Sequence, residues 1–312
     1  MLLQTKNGGI MNAGVKMKRV GMAAGLATAL AVAAVPAGAA SPTESGVSGI
    51  ARARDFFVAV GPAGTVLTSS DGTDWSRQKT PTQAHLHGVT FGDDQFVAVG
   101  SEGTVLTSKD GLVWIRVKAV TTNTLIEVAY GRGQFVAVGE GGVIVSSMDG
   151  SHWRPLESGT TNTLCGVAHG AGRFVAIGAE GVIVTSAGGY KRWSAISSGT
   201  EGCLRGVAYG NGRFVIVSPS RAVLTSRDGL RWDRRSAGFD AYLYAVAFTG
   251  REFVTVGSAG AVLRSSTGLR WQQMPSVETD DLLAVAGTDE RLLAVGASGI
   301  LTLPSLKALA VN

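Results

Sequence analysis

Residues Gln95–Trp114, QFVAVGSEGTVLTSKDGLVW, contain the pattern that decides the fold. An apolar run, a glycine turn and a second apolar run are followed by a Ser-x-Asp-Gly-x-x-Trp corner. The apolar runs are rich in Val, Phe and Thr, which favour strands, and the glycines favour tight turns. The stretch therefore predicts a pair of antiparallel strands that ends in a tight corner.

This pattern recurs along most of the chain at a nearly constant period. The FVAVG-like anchor begins at residues 57, 96, 135, 174, 214, 253 and 292, in steps of 39 or 40 residues. A GVA-like element lies eight residues before each anchor, at positions 49, 88, 127, 166, 206, 245 and 284. A fixed period near 40 residues is typical of a repeat fold. Seven units with four short apolar runs each predict an all-β, seven-bladed β-propeller of about 39-residue four-stranded repeats.

We assign residues 41–312 to the propeller, with blades starting near the seven GVA-like positions. The seventh unit has neither the corner aspartate nor the tryptophan, and it reaches Pro304 directly after its third apolar run. Its outer strand is expected either from residues 306–311 or from residues 41–48, which would latch the ring. The sequence leaves both alternatives open.

Residues 1–40 have the pattern of a secretory signal peptide. Lys16, Lys18 and Arg19 precede an uncharged run over residues 21–40 that ends in a small-residue A-x-A site. An uncleaved membrane anchor is the alternative, because the run approaches spanning length. The cleavage site and the Ala-rich composition favour removal. We expect an exported protein, periplasmic or extracellular, with no stable membrane span after cleavage.

The formal net charge of +5 comes mainly from this segment. It holds four of the 28 basic residues and no acidic residue, which leaves 24 bases against 23 acids in the remainder. A nearly neutral chain gives no reason to expect a nucleic-acid partner. Between residues 191 and 235, however, nine bases stand against three acids. This excess predicts either an ordinary solvated rim or a basic patch for an acidic peptide or an anionic surface.

The corner has a physical role that does not depend on function. An aspartate in a turn accepts backbone N–H groups, glycine permits positive φ, and the tryptophan covers the hydrophobic wedge. The corner residues are Asp71, Asp110, Asp149, Asp228, Trp75, Trp114, Trp153, Trp193, Trp232 and Trp271. Gly188 and Thr267 replace the aspartate in the fourth and sixth blades. We interpret a motif repeated on most blades as structural rather than catalytic.

The corner resembles the Asp-box, or BNR, repeat of sialidases and of several non-enzymatic propellers. With F-V-A-V-G-x-x-G-x-V-L-T-S-x-D-G-x-x-W, the unit is most similar to the seven-bladed family named for the photosystem II stability and assembly factor, to which many secreted bacterial proteins are similar. The resemblance covers residues 47–303. It implies a propeller that contacts a client protein through an arginine-rich patch, for which residues 191–235 are the counterpart.

Catalytic and metal-binding patterns are weak. The Arg-Ile-Pro signature of sialidases is absent, and the acidic residues of the predicted loop face recur as turn residues. His85 and His87 would lie on one side of a strand, but the spacing suggests no third metal ligand. We therefore expect no metal and no cofactor.

Cys165 and Cys203 stand at the start of the innermost strands of neighbouring blades. Export would permit a disulfide between them, and the alternative is two buried free thiols. No histidine stands near either cysteine in the aligned register, so nucleophilic catalysis is not favoured.

One position per blade varies strongly, and it directly precedes the GVA-like element. Its residues are Ser48, His87, Ile126, Cys165, Arg205, Tyr244 and Leu283. A constant frame with variable residues on one face is typical of propeller binding surfaces, although unconstrained loop drift gives the same pattern.

We hypothesise a non-catalytic scaffold that binds another envelope or secreted protein or peptide. Its candidate binding residues are His87, Arg205, Tyr244, Arg227, Arg231, Arg234 and Arg235. The alternative is a carbohydrate-binding or sialidase-like glycoside hydrolase propeller. The sequence predicts no oligomeric state.

Overall fold

The computed structural model describes residues 46–53, 56–190, 192–275, 279–288, 290–296 and 298–303. Within these residues, 27 strands form seven antiparallel sheets. The first strand of each sheet contacts the first strands of both neighbouring sheets, so the sheets are the blades of a closed ring. The predicted seven-bladed propeller is confirmed.

Each blade runs from its innermost to its outermost strand in chain order. The first three blades consist of β1 Gly49–Ala53, β2 Phe56–Val60, β3 Val66–Ser69, β4 Ser76–Arg77; β5 Leu86–Gly92, β6 Gln95–Gly100, β7 Val105–Ser108, β8 Ile115–Arg116; and β9 Leu125–Gly131, β10 Gln134–Gly139, β11 Ile144–Ser147, β12 Trp153–Leu156. The other four consist of β13 Leu164–Gly170, β14 Arg173–Gly178, β15 Ile183–Ser186, β16 Ser194–Ile196; β17 Gly206–Gly210, β18 Arg213–Val217, β19 Ala222–Ser226, β20 Asp233–Ser236; β21 Leu243–Phe248, β22 Phe253–Gly257, β23 Val262–Ser265, β24 Gln272–Gln273; and β25 Leu282–Gly287, β26 Leu292–Gly296, β27 Gly299–Leu303. Short 3₁₀ turns at Ser101–Gly103, Glu140–Gly142, Ala179–Gly181 and Ser258–Gly260 join second to third strands.

The core lies between blades rather than within them. Phe135 to Val138 of β10 are all fully buried, because both faces of this strand are covered by neighbouring sheets. Val97 and Val99 of the preceding blade belong to the same apolar cluster as Phe135. Full burial of such a side chain stabilises the fold by about 1.5–3 kcal/mol. The continuous apolar anchor of each repeat therefore packs between neighbouring blades and holds them together at each contact, which we call a seam.

A glycine at the end of the first strand allows close contact between blades. A Cβ atom on Gly170 would lie 2.0 Å from Cγ of Tyr209 in the next blade. Gly92 stands in the same relation to Tyr130. Each aromatic ring thus packs flat on the backbone of the preceding blade, where no other residue type would leave room.

Ring closure joins the seventh blade to the first. Val285 and Leu293 share one apolar cluster with Ile50 and Phe57 of the first blade. The seventh blade has three strands among the described residues. Two segments were predicted to latch the ring. Residues 306–311, and residues 41–45 of the other segment, lie outside the described residues. Ser48 donates its N–H to Val60 O (2.7 Å) and so lengthens the first blade.

The predicted signal peptide, residues 1–40, also lies outside the described residues. None of the helical segments that the structure describes has the length and apolar character needed to cross a membrane.

Candidate functional site

Each blade has two ends, and the predicted site residues divide between them. In the fifth blade, Arg205 donates its backbone N–H to Val217 O (3.0 Å) at the end where blades are linked. We call this the mouth end. At the opposite end Gly210 pairs with Arg213, and the Asp corner follows the third strand. We call this the corner end.

At the mouth end, one residue per blade lies at a β-bulge or just before the first ladder pair. The register of the first two strands shifts across His87, Ile126, Cys165, Tyr244 and Leu283, which therefore have no partner in the ladder. In the other two blades, Ser48 and Arg205 directly precede the first paired residue. A bulge re-aims a side chain without breaking the sheet. The seven variable positions of the sequence therefore share one structural role.

Just inside the mouth, the first strands of neighbouring blades approach closely. A Cβ atom on Gly88 would lie 2.8 Å from Ile126 O, and one on Gly49 would lie 2.7 Å from His87 O. Glu127 occupies the same repeat position in the third blade, and its side chain is fully buried. This buried carboxyl was not among the predicted site residues. Its signal in the sequence is a charged residue at a position otherwise held by Gly or Ala.

His85 and His87 stack on one another at the mouth, with ring centroids 4.3 Å apart and planes 16° from parallel. His85 Nε2 bonds to Ser48 Oγ (2.7 Å), and His87 Nε2 bonds to Ser101 Oγ (3.1 Å). Burial, with a smaller contribution from His85, lowers the pKa of His87 to about 4. Among the described residues, no three His, Cys, Asp or Glu side chains are arranged to hold a metal ion. At neutral pH this pair is an uncharged, hydrogen-bonded stack.

Arginine and tyrosine side chains dominate the mouth end of the fifth and sixth blades. The Tyr244 hydroxyl donates to Asp281 Oδ2 (3.2 Å), and burial followed by the charge of Asp281 raises the pKa of Tyr244. Arg221 pairs with Asp240 (2.6 Å), and its guanidinium lies 5.3 Å from the centre of the Tyr242 ring. Tyr242 is 46% exposed despite its size. This side of the mouth therefore offers aromatic surface beside positive charge.

The predicted basic patch is split by the structure. Arg227, Arg231 and Arg235 line a cavity of about 480 Å³ at the corner end of the fifth blade, together with Arg213. None of these four guanidinium groups lies within 4.0 Å of a carboxylate oxygen of the described residues. The separation from Arg205 follows from the length of β17, which at about 3.3 Å per residue places the two ends roughly 17 Å apart.

Arg234 lies on the other face of the outer strand β20. It lines a separate groove of about 750 Å³ with Glu180 and Glu201 of the fourth blade. Side chains alternate across a strand, so Arg234 and Arg235 point to opposite sides. Lys191, at the start of the basic stretch, lies outside the described residues.

The corner aspartates bond to their own turns. Asp110 Oδ1 accepts the N–H groups of Leu112 and Val113 (2.9 Å each) and the Ser108 hydroxyl (3.1 Å). These N–H groups lower the pKa of Asp110. Trp114 Nε1 in turn donates to Gly111 O (2.8 Å).

The two altered corners have fewer bonds. In the sixth blade, Thr267 Oγ1 accepts one N–H, from Leu269 (3.3 Å). In the fourth, Gly188 has no side chain to accept any. Its carbonyl accepts a hydrogen bond from the Gln134 side chain of the preceding blade, as the Asp149 carbonyl does from Gln95 (2.9 Å). The fourth corner therefore keeps the contact with the preceding blade but has no side-chain acceptor for its own N–H groups.

Both cysteines are free thiols in this structure, Cys165 buried and Cys203 half-buried. Of the two alternatives left open by the sequence, the structure therefore has the reduced pair.

Solved structures with this architecture are similar to nearly the whole chain. YCF48 bound to a D1 peptide matches at 19% identity and a TM-score of 0.69, over 87% of this chain and 96% of that one. YCF48 from Cyanidioschyzon merolae matches at 18% and 0.68, over 88% and 98%. The WD40 propeller domain of Doa1 matches at 13% and 0.65, over 88% and 96%. No protein-family model and no curated protein matches the sequence. The chain has the fold of these propellers.

Proposed function

We propose that this chain is an exported, non-catalytic propeller that binds a protein or peptide of the envelope or the secreted fraction at its mouth end. One observation carries the proposal. Seven dissimilar side chains occupy equivalent positions, at bulges or just before the ladder, on a frame that otherwise repeats. At the five bulged positions the residue has no ladder partner, so its side chain can vary without a change in strand pairing.

The composition of the mouth suits a peptide. Arg205 and Tyr244 stand beside Arg221 and the exposed ring of Tyr242, and tyrosine and arginine carry much of the binding energy in protein interfaces. YCF48, whose fold this chain has, takes a D1 peptide, which supports a polypeptide as the ligand class here.

The test is affinity capture with residues 41–312 immobilised and exposed to an envelope extract of the source organism. Bound proteins are identified by mass spectrometry at low and high salt. The mouth variant carries Arg205→Glu and Tyr244→Ala, and its matched control carries Arg227→Glu and Arg231→Glu at the corner end. We expect one dominant protein that the wild type and the control retain and the mouth variant loses.

Two outcomes would contradict this proposal. Loss of the partner in the control alone would place binding at the corner-end cavity. Absence of any enriched protein would remove the protein-binding function. In that case glycan-array binding or turnover of aryl glycosides would favour the carbohydrate alternative.

A further inference from the structure

Two thiols meet at the mouth end of the seam between the fourth and fifth blades. Cys165 is the bulged residue of β13 and is 8% exposed. Cys203 lies in the linker before β17 and is more accessible. Leu204 donates its N–H to Gly178 O, and Gly178 is the ladder partner of Leu164, so each cysteine adjoins a residue that pairs with the same glycine. Their positions come from different blades, so any bond between them would cross the seam.

The backbone around Cys203 is fixed on both sides. Its carbonyl accepts the Ser218 hydroxyl of the fifth blade (2.9 Å), and Ser218 is in turn bonded to Ser220 Oγ (2.8 Å). The next residue, Leu204, donates its N–H to Gly178 O of the fourth blade (2.9 Å). These bonds hold the Cys203 backbone at the seam, close to the start of β13, which carries Cys165.

The environment makes the two thiols unequal. Hydrogen bonding from Cys165 and the nearby Arg205 guanidinium lower the pKa of Cys203, against the opposing effect of burial. Hydrogen bonding to Cys203, then burial, raise the pKa of Cys165. Cys203 is therefore the more acidic of the two thiols, and it is also the more accessible one. A thiolate beside an arginine is the reactive form of cysteine, whereas a buried thiol is inert towards reagents in solution.

We propose that Cys203 and Cys165 form a redox-active dithiol site that reacts with small disulfides, with Cys203 as the attacking and Cys165 as the resolving residue. The Cys203 thiolate attacks one sulfur of a low-molecular-weight disulfide, whose S–S bond breaks and releases one thiolate. Cys165 gives its proton to that thiolate and attacks the Cys203 sulfur. The second small thiolate leaves, and the Cys165–Cys203 disulfide joins the fourth and fifth blades. One small thiol and one small thiolate are the products, and the protein dithiol is oxidised by two electrons.

The first experiment follows the wild-type protein, residues 41–312. The reduced protein is incubated with oxidised glutathione at pH 7, and its intact mass and tryptic peptides are measured. We expect loss of two hydrogen atoms and a peptide that links Cys165 to Cys203. Alkylation of the reduced protein by iodoacetamide should label Cys203 at least about 10-fold faster than Cys165. Equal labelling, or no intramolecular disulfide, would overturn the proposal.

Single variants separate the two roles. Cys165→Ser should accumulate a stable mixed disulfide with glutathione on Cys203, whereas Cys203→Ser should remain unmodified. Arg205→Leu should slow the alkylation of Cys203 at pH 7, and the matched mouth variant Arg221→Leu should not. The reverse pattern in the cysteine variants would contradict the assignment. Circular dichroism checks that each variant folds. The labelling ratio of the wild-type protein tests the proposal even if a variant does not fold.

Discussion

The corner end and the mouth end of this propeller use the same repeat in opposite ways. At the corner end, an aspartate such as Asp110 bonds to its own turn, and the pattern recurs from blade to blade. At the mouth end, the equivalent positions hold His87, Cys165, Arg205 and Tyr244, which share no chemistry. Repetition maintains the ring where local bonds satisfy the backbone, and variation is tolerated where the ladder leaves a residue unpaired. The two ends should therefore respond differently to substitution.

The largest difference is expected for glycine substitutions. Gly170→Ala, at the corner end, would place a Cβ 2.0 Å from Cγ of Tyr209 and should lower the free energy of unfolding by about 3 kcal/mol. Gly202→Ala, at the mouth end, meets no atom closer than 3.4 Å and should change it by less than about 0.5 kcal/mol. Urea unfolding curves measure both. Equal shifts in the two variants would show that the contact with Tyr209 does not determine the loss of stability.

Acid should destabilise the protein through the mouth end first. The pKa of His87 is about 4 in the folded state and 6.5 as the ordinary value, so between these values the unfolded chain binds a proton that the folded chain does not. Stability is therefore complete above pH 6.5 and falls as pH decreases towards 4. At pH 5 the loss from His87 is about 2 kcal/mol.

The measurement is the free energy of unfolding in urea at pH 7 and pH 5. His87→Asn should remove most of the difference, and His85, whose pKa burial also lowers, accounts for a remainder of the same sign. The depressed pKa of Asp110 acts in a lower window, since that contribution is lost only as pH falls below the ordinary value of 3.8. A variant that keeps the full wild-type pH dependence would exclude His87 as its source.

Removal of a corner aspartate should have a smaller effect. Asp110→Ala deletes an acceptor for two backbone N–H groups and a hydroxyl and should lower the free energy of unfolding by about 1.5 kcal/mol. Lys109→Ala, an exposed change in the same corner, should stay within about 0.5 kcal/mol. Thermal unfolding of both variants checks this, and a neutral Asp110→Ala would show that the turn needs no carboxylate.

The smallest effect is a gain. Thr267→Asp restores the aspartate of the sixth blade, where Thr267 accepts only one N–H. We expect stabilisation by about 0.5 kcal/mol, because the added carboxylate can accept the N–H groups of its turn as Asp110 does. Thr267→Ala, by contrast, should destabilise slightly. Melting temperatures that order Asp below Thr would contradict this account.

The period of the sequence predicted the ring. Four short apolar runs that repeat about every 39 residues form strands, and few arrangements other than a ring of blades bury all of them. The site was predicted less completely. Counting charges along the chain grouped Arg205, Arg234 and Arg235, but strand length and side-chain alternation send them to different surfaces. The bulges were invisible, since variability at one position does not reveal that the residue lacks a ladder partner.

The cysteine pair illustrates the same limit of one-dimensional alignment. Cys165 and Cys203 are offset by two positions in the aligned repeat, which suggests different heights along the channel. In the structure Cys203 lies in the linker before β17, and this linker bonds to the fourth blade through Leu204 and Gly178. The position of a linker residue does not follow from the repeat alignment, so its contacts can be read only from the structure.

The mouth positions that have no cross-strand partner also make the ring suitable for engineering. Changing Ile126 or Tyr244 disturbs no cross-strand pair, and mutations on separate blades combine nearly additively when they share no partner. A combinatorial library at such positions would sample new recognition surfaces while the apolar seams and the corner turns stay as they are. Evolution of this scaffold towards a new ligand would then need few substitutions and little compensation elsewhere.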